Sequence, residues 1–416
     1  MSFTKTIIKN LGPGLLFASM AIGTSHLVLS TKAGAQYGWL MVIPIIVANI
    51  LKYPFFEFGV RYTSVTNKTL IEGYLNRGKG YLWFYAVITL FTTFTILAAL
   101  YTVTAGLFIN LFKISDTSIA TVTLWLFVGI SAILIFGKYK FLEISLKFVV
   151  SILFLALIIT TVLVVLQGPV EPVAGFEPTP IFNEVGILFL IGLMGWMPTT
   201  VEASSWVSLW SIEKWKTQEK PSLKESLQEF NLGYGITALL AVFFMVIGWF
   251  TLYGSTILLS DNAVSFADQV VLLFTEHIGA WAYIFIAVSA FATMFSTCMT
   301  AHDAITRVSL DIFDLLIPDY KISANRIAFG IGIILLAAVN FIVITAFSAN
   351  MGNLVALATF VSFVVAPIIG YMNLRNVTSS DLDKKYWPNK GLRILTYAGI
   401  LFLSCFSLYY FYIVLF

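Results

Sequence analysis

The stretch Ala18–Ser30, ASMAIGTSHLVLS, sets apolar residues on either side of a polar knot, Gly23-Thr24-Ser25-His26. One of the chain's three histidines lies in that knot. Hydrocarbon offers no partner to a freed backbone group or an imidazole, so a knot at membrane depth is costly.

The rest of the chain puts this stretch in a membrane. Of its 416 residues 59% are hydrophobic and only 11% are charged, whereas a soluble domain carries about a quarter charged residues. The expected fold is a single all-α polytopic transmembrane domain. Cys298 and Cys405 both fall in apolar runs, with no disulfide framework and no metal-type spacing. The formal net charge of +3 comes from scattered loop residues, which speaks for topology and against nucleic acid as a partner. No cofactor motif is present. The start, MSFTKTIIKNLGPG, lacks a cleavage site and reads as mature protein.

Runs of about 20 apolar residues can cross the hydrocarbon as helix. Eleven are expected, at 12–32, 38–60, 82–112, 118–137, 141–167, 184–210, 231–254, 279–309, 325–347, 351–374 and 392–415. With the N-terminus in the cytoplasm, all but Lys32, Lys52, Lys113 and Lys147 of the 24 Lys and Arg fall on the inner side. That asymmetry follows the positive-inside rule, sets the C-terminus outside and suits an inner or plasma membrane. The proline-rich segment 167–180, QGPVEPVAGFEPTP, is expected to be an ordered or extended outer connection. Residues 213–230, EKWKTQEKPSLKESLQEF, form either an amphipathic helix along the membrane or a solvated linker.

The sixth span carries a second knot, LIGLMGWMPTTVEASSW at 190–206. Gly195, Pro198 and Thr199-Thr200 interrupt its helical ladder, because proline removes a donor and disfavours helix in the residue before it. At 1.5 Å per residue the break lies about 20 Å from the outer end, near the midplane. Spans one and six therefore break at similar depth while running in opposite directions. They open two five-span blocks, 12–167 and 184–374, with 392–415 left over: a 5+5 inverted repeat. Interrupted helices at matching positions of inverted halves point to a secondary transporter's binding site. Their ends offer N–H dipoles to anions and free carbonyls to cations.

At these breaks the chain resembles a known family. GPGLLFASMAIGTSHLVLSTKAGAQYGW (12–39) is similar to the first span of the Nramp divalent-metal transporters, with Gly12-Pro13 and Ala33-Gly34-Ala35-Gln36-Tyr37-Gly38 matching. Met197-Pro198 resembles that family's Met-Pro-His break. The resemblance implies the LeuT-like fold of the amino acid–polyamine–cation superfamily, alternating access and a set of site residues. The family's metal-binding Asp falls on Gly23 and its Asn on His26, with Thr24 and Ser25 between. The thioether ligand is kept as Met197, and the carbonyl ligand one turn earlier falls on Met194. The family's two histidines fall on Thr199 and Ser204, and its tenth-span polar residue near Thr359.

Without the Asp, a dication would sit in a low-dielectric cavity among neutral groups at a cost of several kcal/mol. His26 and Met197 would form a soft neutral pair, better suited to a monovalent or borderline metal. The third span, 84–112, has no carboxylate where the family carries proton-transferring acids, so proton coupling is expected to be weak or absent. His26, at a broken turn, is expected to face the cavity. Glu202 is expected either to serve as site or gate or to pair with a partner. Thr297, with Ser296 and Thr300, is an accessory candidate in a region where related folds hold sodium. Glu57 with Arg61, and Glu143 with Lys147, read as i, i+4 ion pairs. His302-Asp303 reads as structural or gating beside Arg307, and Lys52 as snorkelling inward.

Three functions follow. The first is an Nramp-like metal-ion transporter with a remodelled site. The second moves a small polar or zwitterionic solute through the same fold, which the hydroxyls of Thr24, Ser25, Thr199 and Thr200 suit. The third is a non-transporting receptor or an intramembrane enzyme. Against it stand the lack of a sizeable soluble domain and of a nucleophile–base or carboxylate–histidine cluster. The oligomeric state stays open.

Overall fold

The computed structural model describes residues 13–137, 154–216, 218–347 and 350–415, and these are almost entirely helical. The first span consists of α1 (Pro13–Ala21), a π-helical turn (Ser25–Ser30) and α2 (Thr31–Tyr37), interrupted at Ile22 and Gly23. There follow α3 (Val42–Thr66), a short α4 (Leu70–Arg77), α5 (Lys79–Phe112), α6 (Ile119–Phe136) and α7 (Phe154–Gln167). The sixth span is split into α8 (Glu184–Gly195) and α9 (Ala203–Trp215). Then come α10 (Leu223–Leu252), α11 (Ala263–Ile278), α12 (Tyr283–Leu316), α13 (Arg326–Ala346), α14 (Met351–Val377) and α15 (Lys390–Leu415).

Eight stretches of the described residues are long and apolar enough to cross a membrane outright. The first of these, Ser25–Thr66, joins the second part of the broken first span to α3, while α7, described from residue 154, and the broken sixth span supply shorter apolar helices. Residues 141–153 of the expected fifth span, with Glu143 and Lys147, lie outside the described residues.

Local chemistry sets where these helices start. Thr69 with Glu72, and Ser222 with Glu225, form capping boxes at α4 and α10. Asn183, Asn262, Asn325 and Asn350 cap α8, α11, α13 and α14 with their side-chain oxygens. The box at Ser222 corrects the reading of 213–230. That segment is neither one amphipathic helix nor a linker: α9 continues to Trp215, a turn follows, and α10 starts at Leu223, eight residues before the expected span. Helices α4 and α11 were not expected; α11 buries Phe266, Ala267, Val270 and Val271. The proline-rich connection is extended and pinned, Val170 N–H donating to the Phe250 carbonyl (2.8 Å) and Val173 N–H to that of Gly254 (2.9 Å).

The broken spans run inside the bundle. Helix α2 lies backbone to backbone on α10: a Cβ on Gly34 would stand 1.9 Å from the Met245 carbonyl oxygen, and one on Gly248 2.2 Å from that of Thr31. Only glycine permits this approach, the small-residue packing by which membrane helices associate.

Candidate functional site

The two breaks meet: the Ser25 hydroxyl lies 3.3 Å from the Pro198 carbonyl oxygen. Beside this contact is a cavity of about 20 Å³, lined by Gly23, Thr24, Ser25, Thr199, Thr200 and Thr297 together with Ile96, Leu100, Trp196 and Trp206. That volume holds one water-sized occupant. Five hydroxyls from three spans thus converge there. The Thr24 hydroxyl is buried without a hydrogen-bond partner.

Thr297 explains Gly23. Its hydroxyl donates into the frayed end of α1, 3.0 Å from the Ser19 carbonyl, and its side chain fills the space a residue-23 side chain would need. A Cβ on Gly23 would stand 2.8 Å from the Thr297 methyl. The carboxylate position of the family is thereby closed sterically as well as chemically.

His26 does not line this cavity; it turns to α10. Its Nε2 donates to the Thr237 carbonyl (2.9 Å), which leaves Nδ1 to accept from the Ser25 hydroxyl (2.8 Å). Both ring nitrogens are engaged, so a metal could reach neither without breaking a buried bond. Two residues apart on a helical turn, Thr24 and His26 point to different sides. Met194 and Met197 are buried, and neither is among the cavity-lining residues. The expected soft pair of His26 and Met197 is not assembled at the cavity. Among the described residues no three His, Cys, Asp or Glu side chains group as a metal site.

The Met194 carbonyl, expected as a cation ligand, is taken by Lys52. This fully buried α3 residue does not snorkel. Its Nζ donates to the carbonyls of Met194 (2.8 Å), Gly195 (2.8 Å), Met197 (3.0 Å) and Thr199 (3.4 Å). Glu202, also buried, accepts from the Thr200 hydroxyl through Oε2, while Oε1 has no hydrogen-bond partner. Ser204 belongs to the packing with α14, accepting from Asn373 Nδ2 at 2.9 Å. Thr359 lines a separate, larger cavity of about 330 Å³ beside α2 and α8, where Lys32 and Asp261 pair at 2.5 Å.

Glu57, His302 and Asp303 have local partners. Glu57 pairs with Arg61. His302 bonds Tyr101 and the Ile333 carbonyl, and Asp303 takes Arg307 and the Trp210 indole. Sequence reasoning missed Lys52 as a site residue, and also Trp196 and Trp206. Depth was the available signal for Lys52, since it lies about 20 Å into the second span from the expected outer end.

The family model described as Natural resistance-associated macrophage protein-like matches residues 14–413. An uncharacterised protein of Pasteurella multocida (strain Pm70) is 33% identical over 407 residues, covering 96% of this chain and 90% of that one. Among solved structures, a mutant of the Eremococcus coleocola manganese transporter superposes with a TM-score of 0.76 at 13% identity, over 98% of this chain and 87% of that one. MhsT in complex with L-phenylalanine gives 0.61 at 13% identity, over 96% and 98% of the two chains. Mhp1, a nucleobase-cation-symport-1 family transporter with bromovinylhydantoin bound, gives 0.57 at 14% identity, over 96% and 91%.

Proposed function

Because the chain belongs to the Nramp family, we propose that it carries a metal ion across the cell membrane by alternating access, with its N-terminus inside and its C-terminus outside. Residues 12–167 and 184–374 act as the two inverted halves, and 392–415 is an added helix. The supporting observation is the shared cavity. Two breaks far apart in sequence close on one buried space whose Thr24 hydroxyl waits for a partner. Hydroxyl and carbonyl oxygens are the donors at hand, a neutral set that holds an ion loosely enough to release it. Thr359 lies on the approach through the larger cavity, and Glu202 is the gating carboxylate. The α5 helix offers no acid to relay protons, so transport proceeds without proton coupling.

A second reading has its own support. The Lys52 charge beside the break repels a dication and favours a solute with an anionic part. The same fold holds L-phenylalanine and a hydantoin in the solved relatives, so architecture alone does not choose the cargo.

Flux into liposomes decides between them. Purified protein is offered manganese, zinc, cuprous ion, monovalent cations and a panel of small zwitterions, with a pH dye inside. Metal uptake without a pH change is expected. Uptake of a zwitterion alone replaces the metal reading with the second, and metal-driven acidification overturns the uncoupled mechanism.

A further inference from the structure

The carbonyl end of α8 is where a free cation would be drawn. The last turn of a helix leaves its C=O groups without intrahelical partners and concentrates negative partial charge there. Ringed carbonyls at about 3 Å replace a cation's hydration shell. In this chain that position is filled from within. Lys52 Nζ faces four carbonyl oxygens at 2.8–3.4 Å, and an ammonium has three N–H donors with no lone pair to set against them. Two acceptors, Met194 and Gly195, end α8, and two, Met197 and Thr199, lie in the unwound segment that joins α8 to α9, so one charge from a neighbouring span gathers both sides of the break's start.

We propose that the Lys52 ammonium is a tethered cation occupying the coordination position at the carbonyl end of the sixth-span break, so that the break holds its shape without a metal or sodium ion there. Cargo is then confined to the hydroxyl side, against Thr24, Thr199 and Thr200. The proposal is independent of what the cargo is: it concerns the break's own architecture, and failed flux of any one cargo leaves it standing.

The test is thermal unfolding of the full-length purified protein in choline, sodium, potassium and manganese salts, with and without n-propylammonium. Lys52→Ala deletes the shape of one propylammonium, and Lys52→Met keeps the stem while removing the charge. Wild type is expected to gain no stability from propylammonium. Both variants are expected to melt several degrees lower. Propylammonium is expected to restore Lys52→Ala by at least half while leaving wild type unmoved. A Lys52→Met protein that melts with wild type overturns the proposal, as does a destabilised Lys52→Ala protein that propylammonium does not restore. If neither variant folds, a density map of the wild type decides. Nζ within hydrogen-bond distance of the carbonyls supports the assignment, and a dehydrated ion among them with Nζ turned away overturns it.

Discussion

Thr297 of α12 stands in the place of a side chain at Gly23: the Cβ that any other residue would bring comes within 2.8 Å of its methyl. The two positions are therefore coupled, and an acidic ligand cannot be regained at residue 23 by one substitution. Gly23→Asp alone overpacks a buried contact and costs about 1–3 kcal/mol. Gly23→Asp combined with Thr297→Ala makes room for the carboxylate. The double variant is expected to recover stability on adding manganese, read as a saturable rise in melting temperature that neither single variant shows. A single Gly23→Asp protein stabilised by manganese contradicts the coupling.

Thr24 separates site from scaffold. Its hydroxyl is buried and unpartnered, so Thr24→Val removes an uncompensated polar group and should leave the melting temperature unchanged or raised. One lost hydrogen bond to cargo of about 1.4 kcal/mol lowers affinity roughly tenfold. Flux titrated against cargo concentration in liposomes should show that loss. An unaltered titration removes Thr24 from the substrate path.

His26 behaves oppositely. Truncation to alanine removes the bonds to the Thr237 carbonyl and the Ser25 hydroxyl and leaves a void, at a cost of about 2–4 kcal/mol. Stability should fall while cargo affinity of the folded fraction stays near the wild-type value. Selective loss of metal binding with unchanged melting would restore His26 as a ligand.

Acid should act through the loop after α14. Burial alone would raise the Asp381 carboxyl. Hydrogen bonds from Tyr62 (2.8 Å) and Asn76 (3.1 Å), with the Arg77 guanidinium at 2.8 Å, outweigh it and hold the group below its ordinary value. A depressed carboxyl contributes stability above its unfolded value, near 3.9, and that contribution is lost as pH falls through the folded value. Melting curves of wild type and Asp381→Asn should thus differ at neutral pH and converge below about pH 4. Parallel curves across the whole range would dismiss the contribution.

How much of this was legible in the sequence follows from what each signal measures. Glycine, proline and clustered hydroxyls mark where a membrane helix opens, so both breaks could be placed from residues 23–26 and 195–200. Direction of facing was not legible. Thr24 and His26 are neighbours but one and so face different sides, and nothing local in the sequence marks which of the two sides meets the cavity. Lys52 was read by its flexible stem, although its depth demanded a partner. That partner, a row of carbonyls more than 140 residues on, carries no side-chain signature. Thr297 likewise became meaningful only once α12 lay against the frayed end of α1. The resemblance supplied the expected ligand positions, and the packing sets Thr297 against Gly23 and turns His26 to α10.

The proline-rich strap between α7 and α8 has a bearing on motion. A connector of its length could pay out slack as two halves rock. Its backbone is instead stitched to the far end of α10 through Val170 and Val173. The connector after α7 is therefore tied by its backbone to the end of α10, and a second tie, from Lys32 to Asp261, joins α2 to the loop before α11.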